Sequence, residues 1–334
     1  MTTRAEILKM LSDGVFHSGT DLGNNLGITR AAVCKCIRRL TQSGLDVHRV
    51  TGRGYRLDAP LTLLDRSRIL KHLGAAAPLL KNRLEILDQV DSTNRYLRAR
   101  AAEEQKDTRD LAASLHGSVC LTEAQSQGRG RRGRAWVTTP YHNLTLSMAW
   151  RFPSGPAFAS GLSLAAGVAV LHAIEEYGVE GGGLKWPNDV LWKGRKLAGL
   201  LADVAGEAAG PCVAVLGVGI NCFIHEREAA RIDQPWADLQ TITGAPVDRN
   251  RLAALVIRHL RAVLEDFADS GLAPYRGEWE RRHLYAGRKV RLLQGEATHE
   301  GIAEGVDEHG ALCVRDARGA VRKFHSGEIS LRPV

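Results

Sequence analysis

The sequence predicts an α+β protein of three units, and three observations predict it. Helix-like apolar spacing followed by two short strand-like runs fills residues 1–60. Strands and helices then alternate from 61 to 282, and short strands separated by turn residues take over from 283 to 334. A chain of 334 residues exceeds what one hydrophobic core usually organises, and 44% apolar content is enough for several cores.

Residues 4–12 and 19–27 have the spacing of two short helices, with Ser18 or Thr20 available to cap the second. Thr29 then caps RAAVCKCIRRLTQSG, in which Ala32, Val33, Cys36, Ile37 and Leu40 form the inner face and Gly44 ends the helix. Two helices joined by a short glycine-containing turn make a helix-turn-helix. The segment LDVHRVTGRGYRLDAP reads as a hairpin with a basic tip at Gly52-Arg53-Gly54, which is a wing. Nine Lys/Arg against five Asp/Glu give residues 1–60 a net +4, half of the chain's +8, and Asp58-Ala59-Pro60 marks the boundary. A basic module of this shape suits a polyanion.

In the central unit LEILDQV, SVCLTEA, NLTLSMAW, GLKWPNDVLW, KLAGLLADVA and CVAVLGVGINC read as strands, and 92–104, 158–177 and 249–269 as helices. Residues 152–174 contain no Asp, Glu, Lys or Arg, long enough to span a bilayer. Their richness in Gly, Ala and Ser, with Pro153, Pro156 and His172, favours a helix buried against a sheet. In the last unit RKVRLLQ, THEGIAEGVD, ALCVRDA and AVRKFHSGEISLR read as strands of a small β-barrel. The six cysteines show no C-x-x-C pair, and the N-terminus lacks a signal peptide's apolar run. Both features point to free thiols in the cytoplasm, with no membrane partner and no structural metal.

The densest chemical signal is GRGRRGRAW, residues 128–136. Between Glu123 and Glu175 there is no acidic residue, so Arg129, Arg131, Arg132, Arg134 and Arg151 give the span a net +5. Glycines admit close approach to backbone N–H groups, and guanidinium forks suit phosphate or carboxylate oxygens. A nucleic-acid patch or a solvated loop would account for the same residues. The literal G-x-G-x-x-G is not a dinucleotide fingerprint: no helix pattern follows, and no acidic residue lies about 20 positions on.

In LKWPNDVLWKGRKLAG a hairpin would bring Asn188 and Asp189 near Lys196, an ammonium able to meet an α-phosphate and a carboxylate able to escort Mg²⁺. A solvated hairpin lysine is the plain alternative. Asp91-Ser92-Thr93-Asn94 follows a strand and could equally be an ordinary N-cap, and Asn221 of GVGIN could simply close a turn. Neither a Walker A sequence nor a G-x-S-x-G elbow occurs, so no covalent enzyme intermediate is suggested.

Taken together, DSTN, GRGRRGRAW, KWPND, RKLAG and GVGIN, in that order, with FHSGTDLGNNLGITRAAVCKCI and GRGYRL before them and GEISLR after, resemble the bifunctional biotin-protein ligases and biotin operon repressors of bacteria along nearly the whole chain. The resemblance implies a winged helix-turn-helix at 1–60, a catalytic ligase domain with a mixed sheet at 61–282 and an SH3-like barrel at 283–334. It also implies biotinyl-5'-AMP formed from biotin and ATP with Mg²⁺, then transfer to a lysine of the biotin carboxyl carrier protein of acetyl-CoA carboxylase. Ser92, Thr93, Asn94 and Gln125 would hold the biotin head group, and Arg129, Gly130 and Arg131 would lie over carboxylate and phosphate in a loop that orders on binding. Lys196, Arg131 and Asp189 would be catalytic, Asp189 as the Mg²⁺ candidate, with Arg131, Trp136, Asn188 and Asn221 near the adenylate.

The adenylate would also be corepressor, favouring a homodimer on operator DNA contacted by Thr29, Arg30, Lys35, Arg38 and Arg53. Cys34 and Cys36, a longer spacing over Arg98 to Ala113, and KFHS before GEIS depart from the family pattern. Lipoate or octanoate ligases, which also acylate lysines, and a ligand-sensing winged-helix regulator without ligase activity are the rival expectations.

Overall fold

The computed structural model describes residues 3–104, 115–206, 210–294, 296–325 and 329–333. The longer spacing expected at Arg98 to Ala113 and the Ser326-Gly327-Glu328 stretch fall largely or wholly outside them.

Helices α1 (Thr3–Leu11), α2 (Gly19–Leu26) and α3 (Arg30–Gln42) form the N-terminal unit with strands β1 (Val47–Val50) and β2 (Gly54–Leu57). Ser18 Oγ accepts from the N–H groups of Thr20 and Asp21, and Thr29 Oγ1 from that of Ala32, so both expected caps form. The helix α3 buries Val33, Ile37 and Leu40, while Ala32 and Cys36 of the expected inner face are only half-buried, at the edge of the apolar stripe. Thr29, Arg30, Lys35, Arg38 and Arg53 are exposed, and the Arg53 guanidinium lies 4.3 Å from the Phe16 ring centroid.

Seven strands make the central mixed sheet: β3 (Leu84–Val90), β4 (Val119–Gln125), β5 (Leu144–Phe152), β6 (Gly182–Lys185), β7 (Asp189–Trp192), β8 (Arg195–Gly206) and β9 (Cys212–Ile220). Their order is β3-β4-β5-β9-β8-β7-β6, with β3 and β4 parallel and every other pair antiparallel. GLKWPNDVLW is therefore two strands, not one: β6 and β7 pair as a hairpin around a cis Trp186-Pro187 bond, since proline cannot donate to a ladder.

Strand alternation divides the sheet's two faces. Leu144, Leu146, Met148, Trp150 and Phe152 of β5 join the main core with helices α4 (Arg66–Leu73), α6 (Leu162–Tyr177) and α7 (Arg249–Ser270). The acid-free stretch thus ends in a buried 16-residue helix, and no described helix is long and apolar enough to cross a membrane. On the opposite face Ala149 and Val215 pack with Leu97 of α5 (Thr93–Glu104), and Ser147, Gly217 and Gly219 continue the same alternation toward the strand ends. Small residues there leave room above the sheet.

Helix α8 (Ala273–Arg282) leads to strands β10 (Lys289–Gln294), β11 (Ala297–Val306), β12 (Leu312–Arg315), β13 (Val321–Phe324) and β14 (Ile329–Pro333), an antiparallel sheet ordered β13-β12-β11-β10-β14, consistent with an SH3-like barrel. The run read as one strand from 320 to 332 is two, because β13 pairs with β12 whereas β14 pairs with β10.

The segment joining the first two units is firmly held. Glu123 Oε1 accepts the Leu64 N–H at 2.5 Å, while Glu123 Oε2 pairs at 2.7 Å with Arg249 Nη1, both side chains almost fully buried. Arg249 Nη2 donates to the Thr62 carbonyl and Asn250 Nδ2 to that of Leu63. Beyond it Arg4 of α1 reaches Asp88 of β3 at 2.9 Å and the Tyr141 hydroxyl at 2.8 Å, and Tyr141 is buried in the core of the N-terminal unit.

Candidate active site

Five of the sequence signals converge on one cavity of about 230 Å³ at the strand ends. Its lining includes Ser92, Thr93, Asn94, Gln125, Arg129, Gly130, Arg131, Trp136, Asn188, Asp189 and Lys196. Local chain geometry explains why each arrives there: DSTN joins β3 to α5, Gln125 ends the parallel neighbour β4, and the β6-β7-β8 meander returns Lys196 to Asp189.

At the neutral end, the Thr93 N–H and Oγ1 both donate to Gln125 Oε1, at 2.9 and 3.2 Å. Ser147 Oγ, fully buried in β5, lies 2.7 Å from Thr93 Oγ1 and 2.6 Å from Asn94 Oδ1. Asn94 Nδ2 donates to the Leu201 carbonyl and to Asp203 Oδ2. Buried polar groups need such partners, and a connected set holds a fixed pattern of donors and acceptors. Nothing in NLTLSMAW marks Ser147, because in a strand only the partner across the sheet reveals which face a residue serves.

At the charged end Lys196 Nζ lies 2.7 Å from Asp189 Oδ1 and 5.3 Å from the Trp136 ring centroid. The loop after β4 folds back on itself through Gly130 N–H to Arg134 carbonyl (2.7 Å) and Trp136 N–H to Gly128 carbonyl (2.9 Å), carrying Arg131 over the cleft. Burial pushes the Arg131 guanidinium down to about 10; Asp189 opposes the shift, and Arg132 and Arg134 add to it. A desolvated cation beside two like charges makes this end receptive to an anion.

Motif glycines are explained by the same packing. A Cβ at Gly219 would meet the Trp136 indole at 2.4 Å, one at Gly199 the same ring at 3.0 Å, and one at Gly217 would meet Asn94 Oδ1 at 2.2 Å. In GVGIN and RKLAG, glycine is therefore the floor on which Trp136 and Asn94 rest.

Asn221 does not join the cavity: it is buried, and its Nδ2 donates to the Lys196 and Ala237 carbonyls, so it closes the turn under the lysine. Arg231, Asp233 and Gln234 do line the cavity, held by a Lys196 N–H to Pro235 carbonyl bond of 2.9 Å, and no sequence pattern announces them. Among the described residues no group of three His, Cys, Asp or Glu could form a metal cage. Mg²⁺ held by one carboxylate and substrate phosphates needs no such cage, and Asp189 at the cavity wall offers that carboxylate.

The sequence profile of the Biotin/lipoate A/B protein ligase family matches residues 87–221, that of the Biotin protein ligase C terminal domain 285–332, and an HTH domain profile 3–56. The chain is 40% identical over 331 residues to the Bifunctional ligase/repressor BirA of Escherichia coli, covering 99% of this chain and 98% of that one. It is 37% identical over 251 residues to the Biotin--[acetyl-CoA-carboxylase] ligase of Mycobacterium tuberculosis, covering 74% and 88%. Among solved structures, the biotin protein ligase of Aquifex aeolicus in complex with biotin and ATP superposes with a TM-score of 0.61 at 28% identity, over 76% of this chain and all of that one. By its residues, its order of domains and its likeness from end to end, the chain belongs to the biotin protein ligases, in the bifunctional branch that joins a ligase to a helix-turn-helix repressor.

Proposed function

We propose that the cavity joins biotin to ATP and that the chain passes the activated vitamin to a lysine of a biotin carboxyl carrier protein. The observation that carries this reading is the cavity's polarity: a neutral hydrogen-bonding end formed by Thr93, Asn94 and Gln125, backed by the buried Ser147, and a cationic end formed by Lys196 and Arg131. A ureido ring suits the first, and a carboxylate meeting an α-phosphate suits the second.

In the first step the biotin carboxylate attacks the α-phosphorus of ATP, the bond to the β-phosphate oxygen breaks, and biotinyl-5'-AMP and pyrophosphate result. Lys196 and Arg131 neutralise charge that grows on the α-phosphate oxygens, which is where fixed cations accelerate a reaction. Asp189 and the substrate phosphates would hold Mg²⁺, which supplies further charge neutralisation when bound. In the second step the acceptor lysine's neutral amine attacks the carbonyl of the mixed anhydride; AMP leaves, the nitrogen gives its extra proton to solvent, and an amide forms. Neither step requires an enzyme nucleophile.

The exposed Arg30, Lys35, Arg38 and Arg53 support operator DNA as a second partner, read by paired winged helices in a homodimer with the adenylate as corepressor. One experiment tests both activities: incubate the protein with ATP, Mg²⁺ and labelled biotin or lipoate, then assay transfer to a carrier domain and a gel shift of the chain's own biotin-gene promoter. Biotin transfer and an adenylate-dependent shift are expected. Preferential lipoate transfer would overturn the substrate, and no shift would overturn the repressor.

A further inference from the structure

The terminal barrel meets the wall of the catalytic cleft at Trp186. Trp186, fully buried and two residues before Asn188, donates its indole N–H to the Gly310 carbonyl in the β11–β12 turn, at 3.1 Å. Beside it Ser160 Oγ donates to the His309 carbonyl at 2.6 Å. A Cβ at Gly310 would stand 2.9 Å from Gly161 Cα, and Gly310 has a φ of 78°, so two backbones meet there with no space for a side chain.

The barrel's turn is itself stiff. Asp307 Oδ1 accepts the N–H groups of His309 and Ala311 at 3.0 and 2.9 Å, its Oδ2 lies 3.1 Å from Lys323 Nζ, and Gly310 N–H returns to the Asp307 carbonyl. On the cleft side, the Asn188 carbonyl accepts the Leu200 N–H at 2.9 Å and Asp189 pairs with Lys196. The Trp186–Asp189 turn is thus held between β8 and the barrel.

We propose that Gly310 and Trp186 are positioning residues, the barrel turn acting through the Trp186 indole to fix Asn188 and Asp189 for the nucleotide. The functional half rests on the ATP-using reading above; the mechanical half does not. Hydrogen exchange over residues 184–191 of the full chain, together with the KM for ATP in biotin-dependent pyrophosphate exchange and the Kd for biotin, separates the two halves.

Gly310→Ala and Trp186→Phe should each speed exchange in this segment about tenfold and raise the KM for ATP five- to tenfold, roughly what loss of one buried hydrogen bond implies, while the Kd for biotin stays within twofold. Because both act through one contact, the double variant should be no worse than the more severe single. Gly319→Ala strains another tight turn of the same barrel, at a φ of 84° with nothing within 4 Å, and should change neither quantity. Equal effects from Gly319→Ala, additive effects in the double variant, or unchanged exchange in Trp186→Phe would overturn the proposal. Absence of pyrophosphate exchange in the unmutated protein would overturn the ATP reading and leave the exchange measurement to decide the mechanical half.

Discussion

Lys196 and Asp189 form an ion pair at 2.7 Å inside the cavity, each side chain less than a fifth exposed. The pair aligns the ammonium and holds Asp189 where it could turn toward a metal–phosphate group. Replacing Lys196 with Ala should lower the rate of adenylate formation by about 10²–10³-fold, as loss of a preorganised charge does. Biotin affinity should fall far less, because the charge it meets develops during reaction. Rapid-quench adenylation and biotin titration check this, and parallel losses would refute the role.

Arg131→Gly should accelerate adenylate release, since charge-assisted contacts over the cleft disappear. Dissociation of labelled adenylate from each protein measures it; an unaltered off-rate would remove Arg131 from the retaining loop.

Gly219→Ala puts a methyl 2.4 Å from the Trp136 indole, and either ring or strand must move. A stability loss of about 1–3 kcal/mol is expected, with a shift in Trp136 fluorescence. A urea midpoint matching that of the unmutated chain would show that the floor is not tight.

Glu123→Ala should cost about 3–5 kcal/mol, because it strands the buried Arg249 guanidinium. Glu123→Ala combined with Arg249→Met should recover part of the loss. Equilibrium denaturation of Glu123→Ala, Arg249→Met and the double variant checks it, and simple additivity would deny the coupling.

His283 is buried beside Trp279, and burial pushes its imidazole down to about 4 from 6.5. The unfolded chain takes up that proton first as pH falls, so the stability contribution is complete above pH 6.5, declines below it and is lost through pH 4. His283→Phe should lessen the acid-side decline between these values by roughly 3 kcal/mol, at 1.36 kcal/mol per pKa unit. Superimposable stability–pH curves would exclude His283 as a contributor.

The cleft was legible where its residues sit in turns that strands must end in: DSTN, GRGRRGRAW, KWPND and RKLAG are local patterns, and the sheet gathers them. Ser147 was not, because its role depends on which face of β5 it occupies and on a partner in another element. Asn221 was left between a turn and the adenylate for the complementary reason, since its amide bonds to Lys196 and Ala237 backbone that no local pattern pairs with it, and those bonds favour the turn. The polar α8 escaped because only Trp279 of its ten residues is buried, too little periodicity to register. The first three helices were readable from caps and spacing, yet the docking of Arg4 on Asp88 joins residues that share no signal.

Glu123, Arg249 and Asn250 hold the backbone of residues 62–65 by its own N–H and carbonyl groups. The chain that leaves the reading head is therefore tied to the enzyme body along its own backbone. If two copies pair as proposed, the gap between their heads would follow, like the opening of a caliper, from how the enzyme bodies meet, and a ligand that altered that meeting would change the span without touching either head.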